Sequence, residues 1–174
     1  MKRSSMTQTV RWLTQGAVIA AIYAALTLAA GALNLAYGPV QFRFSEAMTI
    51  LPVFTPAAIP GLTVGCLIGN FFSAFGWVDM VCGTAASLLA AIATRALRRV
   101  QVHGVPLLAP LPPVLFNALI VGAEITLLTP GASFAAFLYS ALTVGLGQLA
   151  VCYGLGLPLY CALRPVEKRL FACK

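Results

Sequence analysis

Charge is the scarcest property of this 174-residue chain: 9% of its residues are Asp, Glu, Lys or Arg. Average soluble domains carry about 25%. With 60% hydrophobic residues and a mean hydropathy of +0.94, the chain has too little polar surface to cover itself in water. Lipid is therefore its expected main solvent. There are four acids and one histidine, few candidates for a nucleophile–base pair, so no catalytic residue is assigned and an enzyme is not expected. The lone His103 falls in a loop beside arginines. One histidine also argues against a His/Cys zinc site, and no metal or cofactor is expected. The five cysteines, Cys66, Cys82, Cys152, Cys161 and Cys173, form no CxxC pair and read as small buried hydrophobes. No GxxxxGK[ST] occurs, so the chain does not cradle ATP by itself, and HExxH and GxSxG are absent as well.

What is present is a succession of apolar stretches along the whole chain. A cleaved signal has only one such region, of about 7–15 residues, and so does not account for the composition. The pattern predicts an all-α, polytopic membrane protein of six transmembrane helices. They are placed at about 13–35, 45–54, 56–75, 78–97, 106–128 and 134–163. The first ends at the turn signal Tyr37-Gly38-Pro39. The second is short, with Ser45 as N-cap and Pro52 weakening its end. Pro56 and Pro60 open the third, Pro112 and Pro113 lie near the start of the fifth, and Pro158 falls late in the sixth. Gly38, Gly76, Gly104 and Gly131 fall in short loops. Residues 1–12 and 165–174 read as cytoplasmic tails around one transmembrane domain, 13–164.

A net charge of +7 would suit nucleic acid, but the basic residues sit at the ends of apolar segments, as topology signals do. With the chain started in the cytoplasm and crossing six times, Lys2, Arg3, Arg11, Arg95, Arg98, Arg99, Arg164, Lys168, Arg169 and Lys174 fall inside. Only Arg43 falls outside. This fits the positive-inside rule with both termini cytoplasmic.

The same topology puts Glu46, Asp79 and Glu124 at the outer ends of three different helices, with Glu167 alone inside. A charge at bilayer depth is costly unless paired or wet. Three acids at matched depth point to one outward-facing polar cavity. The plainer alternative is that each lies in a surface loop or pairs with Arg43, and Asp79, closest to a loop, is most open to it. Asn34, Asn70, Asn117 and Gln148 are amides within apolar segments, equally able to bond helices together or to face a ligand. Tyr37, Phe42, Phe44, Phe75 and Trp77 fit an aromatic belt at the outer interface. Ala17, Ala21 and Ala25 form a small-residue stripe, as do Ala20 and Ala24. Such faces let another helix approach, either within the chain or from a partner. Gly61, Gly65 and Gly69 form a similar face, better suited to internal packing.

The stretch Tyr37-Gly38-Pro39-Val40-Gln41-Phe42-Arg43-Phe44-Ser45-Glu46-Ala47, continuing through Met48-Thr49-Ile50-Leu51-Pro52 and Pro56-Ala57-Ala58-Ile59-Pro60-Gly61, resembles the queuosine-precursor transporter (QueT) family. These are substrate-binding subunits of energy-coupling factor (ECF) transporters. Gly65-Cys66-Leu67-Ile68-Gly69-Asn70, Pro112-Pro113-Val114-Leu115-Phe116-Asn117-Ala118 and Val151-Cys152-Tyr153 extend the resemblance over nearly the whole chain. It implies a six-helix bundle in the bacterial plasma membrane, a site near the outer face, and a complex with a transmembrane coupling protein and two ATPases. It also implies a docking role for Ala17, Ala21 and Ala25, and toppling of the subunit within the lipid. The implied substrates are 7-deazaguanines: the cyano and aminomethyl precursors, or queuine. One carboxylate accepts the two adjacent N–H groups of a guanine-like edge. The ring carbonyl takes a donor from Gln41, Arg43, Asn70, Asn117 or Gln148, and a cationic aminomethyl group favours a second acid among Glu46, Asp79 and Glu124. Gln148 stands where the resemblance implies an acid, which bears on the aminomethyl compound. The competing expectation is a structural or regulatory membrane subunit that binds no small molecule.

Overall fold

The computed structural model describes residues 2–36, 41–73 and 75–171, with side chains from Met6 onward. The turn expected at Tyr37-Gly38-Pro39, and Cys173 and Lys174, lie outside the described residues. The chain runs through α1 (Lys2–Ala32), a 3-10 helix (Phe44–Val53), α2 (Ala58–Asn70), α3 (Trp77–Leu97), α4 (Leu111–Leu128), α5 (Phe134–Gly154) and α6 (Gly156–Leu163). A short 3-10 turn, Arg164–Val166, and a last helical turn, Glu167–Leu170, follow. Among the described residues there is no strand, only an isolated bridge between Val102 and Val105. Four helical stretches are long and apolar enough to cross a membrane: Met6–Ala32, Trp77–Leu97, Leu111–Leu128 and Phe134–Leu170. Phe44–Val53 and Ala58–Asn70 are shorter. All six expected helices are present as helical segments.

Four details depart from the sequence expectation. Helix α1 starts at Lys2, because nothing in the polar leader breaks it. The second segment is a 3-10 helix that starts at Phe44, so Ser45 is not its cap; the Ser45 hydroxyl instead accepts a hydrogen bond from Thr27 Oγ1 at 2.8 Å. Regular helix in α4 begins at Leu111, with turns before it, and passes through a π-turn at Asn117–Val121 after the proline pair. The last long helix is interrupted at Leu155, since Pro158 has no N–H to give to the carbonyl of Gly154.

The distribution of side chains is that of a chain solvated by lipid. Large apolar residues such as Leu13, Val64, Leu89, Leu119 and Leu142 point outward, whereas Arg43, Glu46, Asn70, Asp79 and Gln148 are buried. Without a hydrophobic drive between helices in lipid, close approach of small residues has to hold them together. The glycine face of α2 does so. A β-carbon at Gly61 would stand 2.8 Å from the Gly16 carbonyl, one at Gly65 2.8 Å from the Ala20 carbonyl, and one at Gly69 2.8 Å from Thr27 Cγ2. The expected internal packing role for Gly61, Gly65 and Gly69 is therefore seen, and its counterpart on α1 includes Ala20 and Ala24, both buried. Ala17, Ala21 and Ala25 remain exposed on the other side of α1. Gly122 of α4 meets Ala141 of α5 in the same manner, a β-carbon there falling 2.8 Å from Ala141 Cα.

Basic residues gather at one end of the bundle. Arg11 donates to the Arg169 carbonyl at 3.0 Å, Arg164 lies against Gly104, and Arg95 donates to the carbonyls of Pro52 and Val53 at 2.8 and 3.0 Å. Gly104 itself has φ +78°, a turn conformation that favours glycine. His103 is exposed in that loop.

Candidate functional site

The site begins with the short helix Phe44–Val53, which threads the middle of the bundle against α1, α3, α5 and α6. Ser45 through Pro52 are all buried. In a 3-10 helix residues three apart eclipse. Glu46 and Thr49 therefore share one edge, and Thr49 Oγ1 donates to the Glu46 carbonyl at 2.6 Å. The Glu46 side chain is 1% exposed. Its Oε1 accepts from the hydroxyl of Tyr23 on α1, while Oε2 has no hydrogen-bond partner. Cys152 of α5 points its thiol at the Glu46 carbonyl (3.7 Å) and at Gln148 Oε1 (3.5 Å), which brings Gln148 to the same place.

Beside this group lies a second, organised by Arg43. Its Nε donates to the Ala36 carbonyl at 3.0 Å and its Nη1 to Asn70 Oδ1 at 2.8 Å, while Nη2 pairs with Asp79 Oδ2 at 3.7 Å. Asn70 Nδ2 donates in turn to the Asp79 carbonyl at 3.2 Å and to Cys66 Sγ at 3.3 Å. Ser87 of α3 also donates to Cys66 Sγ, at 3.1 Å. Asp79 is as deeply buried as Glu46, so it is no loop residue; the pairing with Arg43 that the plainer reading anticipated is present. Glu124 on α4 is 4% exposed, and neither of its carboxylate oxygens has a hydrogen-bond partner. Arg43 lies within electrostatic range of all three acids, and Glu124 within range of Asp79.

Of the residues singled out in the sequence, Glu46, Gln148, Arg43, Asn70, Asp79 and Glu124 converge around this core. Gln41 is buried in the extended approach to Phe44. Asn117 is buried but donates to the Pro113 carbonyl of its own helix at 2.9 Å, which joins it to neither a second helix nor the polar core. Asn34 is exposed in a turn, with φ 56°. Phe42 and Phe44 meet edge to face at 5.9 Å, and Trp77 is exposed. Near Glu124, Phe75, Thr126, Thr129, Tyr139, Ser140 and neighbouring residues line a cavity of about 370 Å³ between the ends of α4 and α5.

Sequence reasoning missed Tyr23, Thr27, Ser45, Cys66 and Cys152. Tyr23 and Thr27 carried a signal: two hydroxyls four apart, hence on one face, in a run of Ala, Leu and Ile. Cys66 and Cys152 carried none beyond burial, yet both thiols are wired into the polar core.

Buried charges are stable when paired and hydrogen-bonded. Here one arginine stands among three carboxylates, and five carboxylate oxygens are buried without a hydrogen-bond donor. Such a site suits a compact ligand rich in N–H groups.

Comparison with known proteins agrees with this frame. The family profile described as QueT transporter matches residues 13–165. A protein of Lactococcus lactis subsp. cremoris (strain MG1363) named Queuosine precursor transporter QueT is 41% identical over 73 residues, covering 42% of this chain. The match spans 43% of that relative's length. No solved structure matches.

Proposed function

This chain belongs to the QueT transporter family, and from that premise we propose that it is the substrate-binding subunit of an ECF-type importer for a queuosine precursor, a 7-deazaguanine. The relative's name supplies the substrate class. The observation that carries the reading is Glu46: a buried carboxylate with one oxygen held by Tyr23 and the other without a donor. Two adjacent N–H groups of a guanine-like edge complement that carboxylate, and the ring carbonyl takes a donor from Gln148, Asn70 or Arg43. Glu124, whose oxygens are also without donors, complements a cationic aminomethyl arm.

The sequence has no phosphate-binding loop, which supports a division of labour in which partner subunits hydrolyse ATP. Ala17, Ala21 and Ala25 are left uncovered by the chain's own helices, which supports their role as the surface for a coupling protein. The proposed orientation is multi-pass with both termini cytoplasmic. The end of the bundle that gathers Arg11, Arg95, Arg164 and Arg169 would face inward.

Calorimetric titration of the detergent-purified chain tests the reading, with queuine, the cyano and aminomethyl precursors, and guanine as control. A lost hydrogen bond to a charged group costs about 1.5–3 kcal/mol, roughly 10-fold to over 100-fold in Kd. Glu46→Ala is expected to weaken binding by at least that much with helix content unchanged. Absence of binding by every deazapurine, from folded protein, would reject the substrate assignment and favour a structural subunit.

A further inference from the structure

A slot of about 750 Å³ runs along α1, closed on its far side by Met48 and Leu51 of the 3-10 helix and by Leu159 and Leu163 of α6. Its wall is apolar except at one end, where Arg11, Thr14 and Gln15 stand. From Arg11 to Leu26, the residue that closes the other end, the rise along α1 is about 22 Å at 1.5 Å per residue. Half of a bilayer, headgroups included, is roughly 20–22 Å. The slot thus has the depth of one leaflet, with its polar end at headgroup level and its apolar end near the midplane.

The polar end is positive and built. Arg11 donates to the Arg169 carbonyl at 3.0 Å, and Gln15 donates to the Leu170 carbonyl at 2.7 Å, so the last helical turn is tied across the mouth of the slot. This sets the backbone of a turn that carries Lys168, Arg169 and one acid, Glu167, against Arg11. The carbonyl contact engages one nitrogen of the Arg11 guanidinium, which has five N–H donors in all.

We propose that this slot seats one anionic phospholipid, its phosphate on Arg11 and its acyl chain along Ile22, Leu26 and Met48. Charge complementarity selects the occupant. A cationic mouth favours a headgroup of net negative charge, and basic recesses between helices at the cytoplasmic surface are the usual sites for such lipids. A zwitterionic lipid offers the same chain but brings its own cation to the arginines. The slot lies on a different face of α1 from the Ala17–Ala21–Ala25 stripe. Glu46 is not among its lining residues, although the adjoining Ala47 and Met48 are, and the Glu46 carboxylate is turned to Tyr23 instead, so lipid and substrate occupy separate sites. The inference rests on the membrane reading but not on the deazapurine assignment.

Native mass spectrometry of the purified chain with equal amounts of phosphatidylglycerol and phosphatidylcholine tests it, with glycerol phosphate as a competitor. One phosphatidylglycerol is expected to be retained at least 10-fold over phosphatidylcholine and not to be displaced by glycerol phosphate. Arg11→Gln is expected to bring the two lipids to parity. Leu159→Trp, which fills the slot and leaves the charges, is expected to lower phosphatidylglycerol retention at least 5-fold. Queuine titration serves as the separate readout and is expected to be unchanged in both variants. Equal retention of the two lipids by the unaltered chain overturns the proposal, and so does a preference that survives both substitutions. Displacement by glycerol phosphate would assign the mouth to a free anion, and stoichiometric displacement by the coupling protein would assign the slot to that partner; either result overturns it too.

Discussion

Nδ2 of Asn70 lies against the bare Cα of Gly83 across the α2–α3 crossing, so closely that a β-carbon at position 83 would overlap it. The absent side chain lets the Asn70 amide sit with its oxygen toward Arg43 and its nitrogen toward Asp79 and Cys66. Gly83→Ala is therefore expected to push the amide aside and loosen Arg43. The measurable outcome is a deazapurine Kd weakened about 10-fold, the lower end for a hydrogen bond to a charged group, with helix content unchanged by circular dichroism. An unchanged Kd would mean that Asn70 does not set the position of Arg43 for the ligand.

Tyr23 is expected to act through Glu46. Tyr23→Phe removes the donor to Oε1 and leaves that oxygen buried without a partner, at a cost of about 1–3 kcal/mol. Thermal unfolding in detergent should report the loss, and titration should report a weaker Kd. In a double-mutant cycle with Glu46→Gln the two effects are expected to be non-additive by at least 0.5 kcal/mol, as for groups in contact. Strict additivity would separate the two residues.

Much of this was legible in the sequence. Hydropathy and proline placement were enough to locate all six helical segments, and Glu46, Asp79 and Glu124 were expected to share one polar region. What was not legible depended on tertiary neighbours. The 3-10 helix Phe44–Val53 contains Pro52 and is buried from Ser45 to Pro52, and no periodicity announces its geometry. Ser45 reads as a cap by its type, but its hydroxyl is taken by Thr27. Asp79 stands second in the expected fourth helix, close enough to a loop to leave a surface position open, and only its neighbours show it buried and paired with Arg43. Cys66 and Cys152 read as apolar filler because a thiol's hydrogen bonds leave no mark in composition.

The Arg43–Asp79 pair is buried on both sides. Removing one partner of a buried pair costs about 3–5 kcal/mol because the other is left uncompensated. Arg43→Met alone is expected to destabilise the chain by that order in a detergent melt. Adding Asp79→Leu to it should recover most of the loss, since a well-packed apolar pair can replace a buried ionic one. A double variant no more stable than the single one would show that Asp79 is held by other groups.

Ala21 is exposed at the centre of its stripe. Ala21→Leu is expected to leave the melting temperature and the deazapurine Kd unchanged. ATP-driven uptake by cells carrying the full transporter should fall at least 10-fold, since a branched side chain keeps a partner helix at a distance. Normal uptake would remove the stripe from the docking surface.

Ala21 and Tyr23 are two positions apart on one unbroken helix, so their side chains leave it about 160° apart. One side of α1 is bare toward the surroundings, and the other holds Glu46 by a single hydroxyl. The glycines of α2 clasp the rod along three successive turns. A torque applied at the alanine face has a rigid shaft and one hydrogen bond between it and the carboxylate. In mechanical terms α1 is a lever: its outer arm is exposed, and its inner arm grips the Glu46 carboxylate.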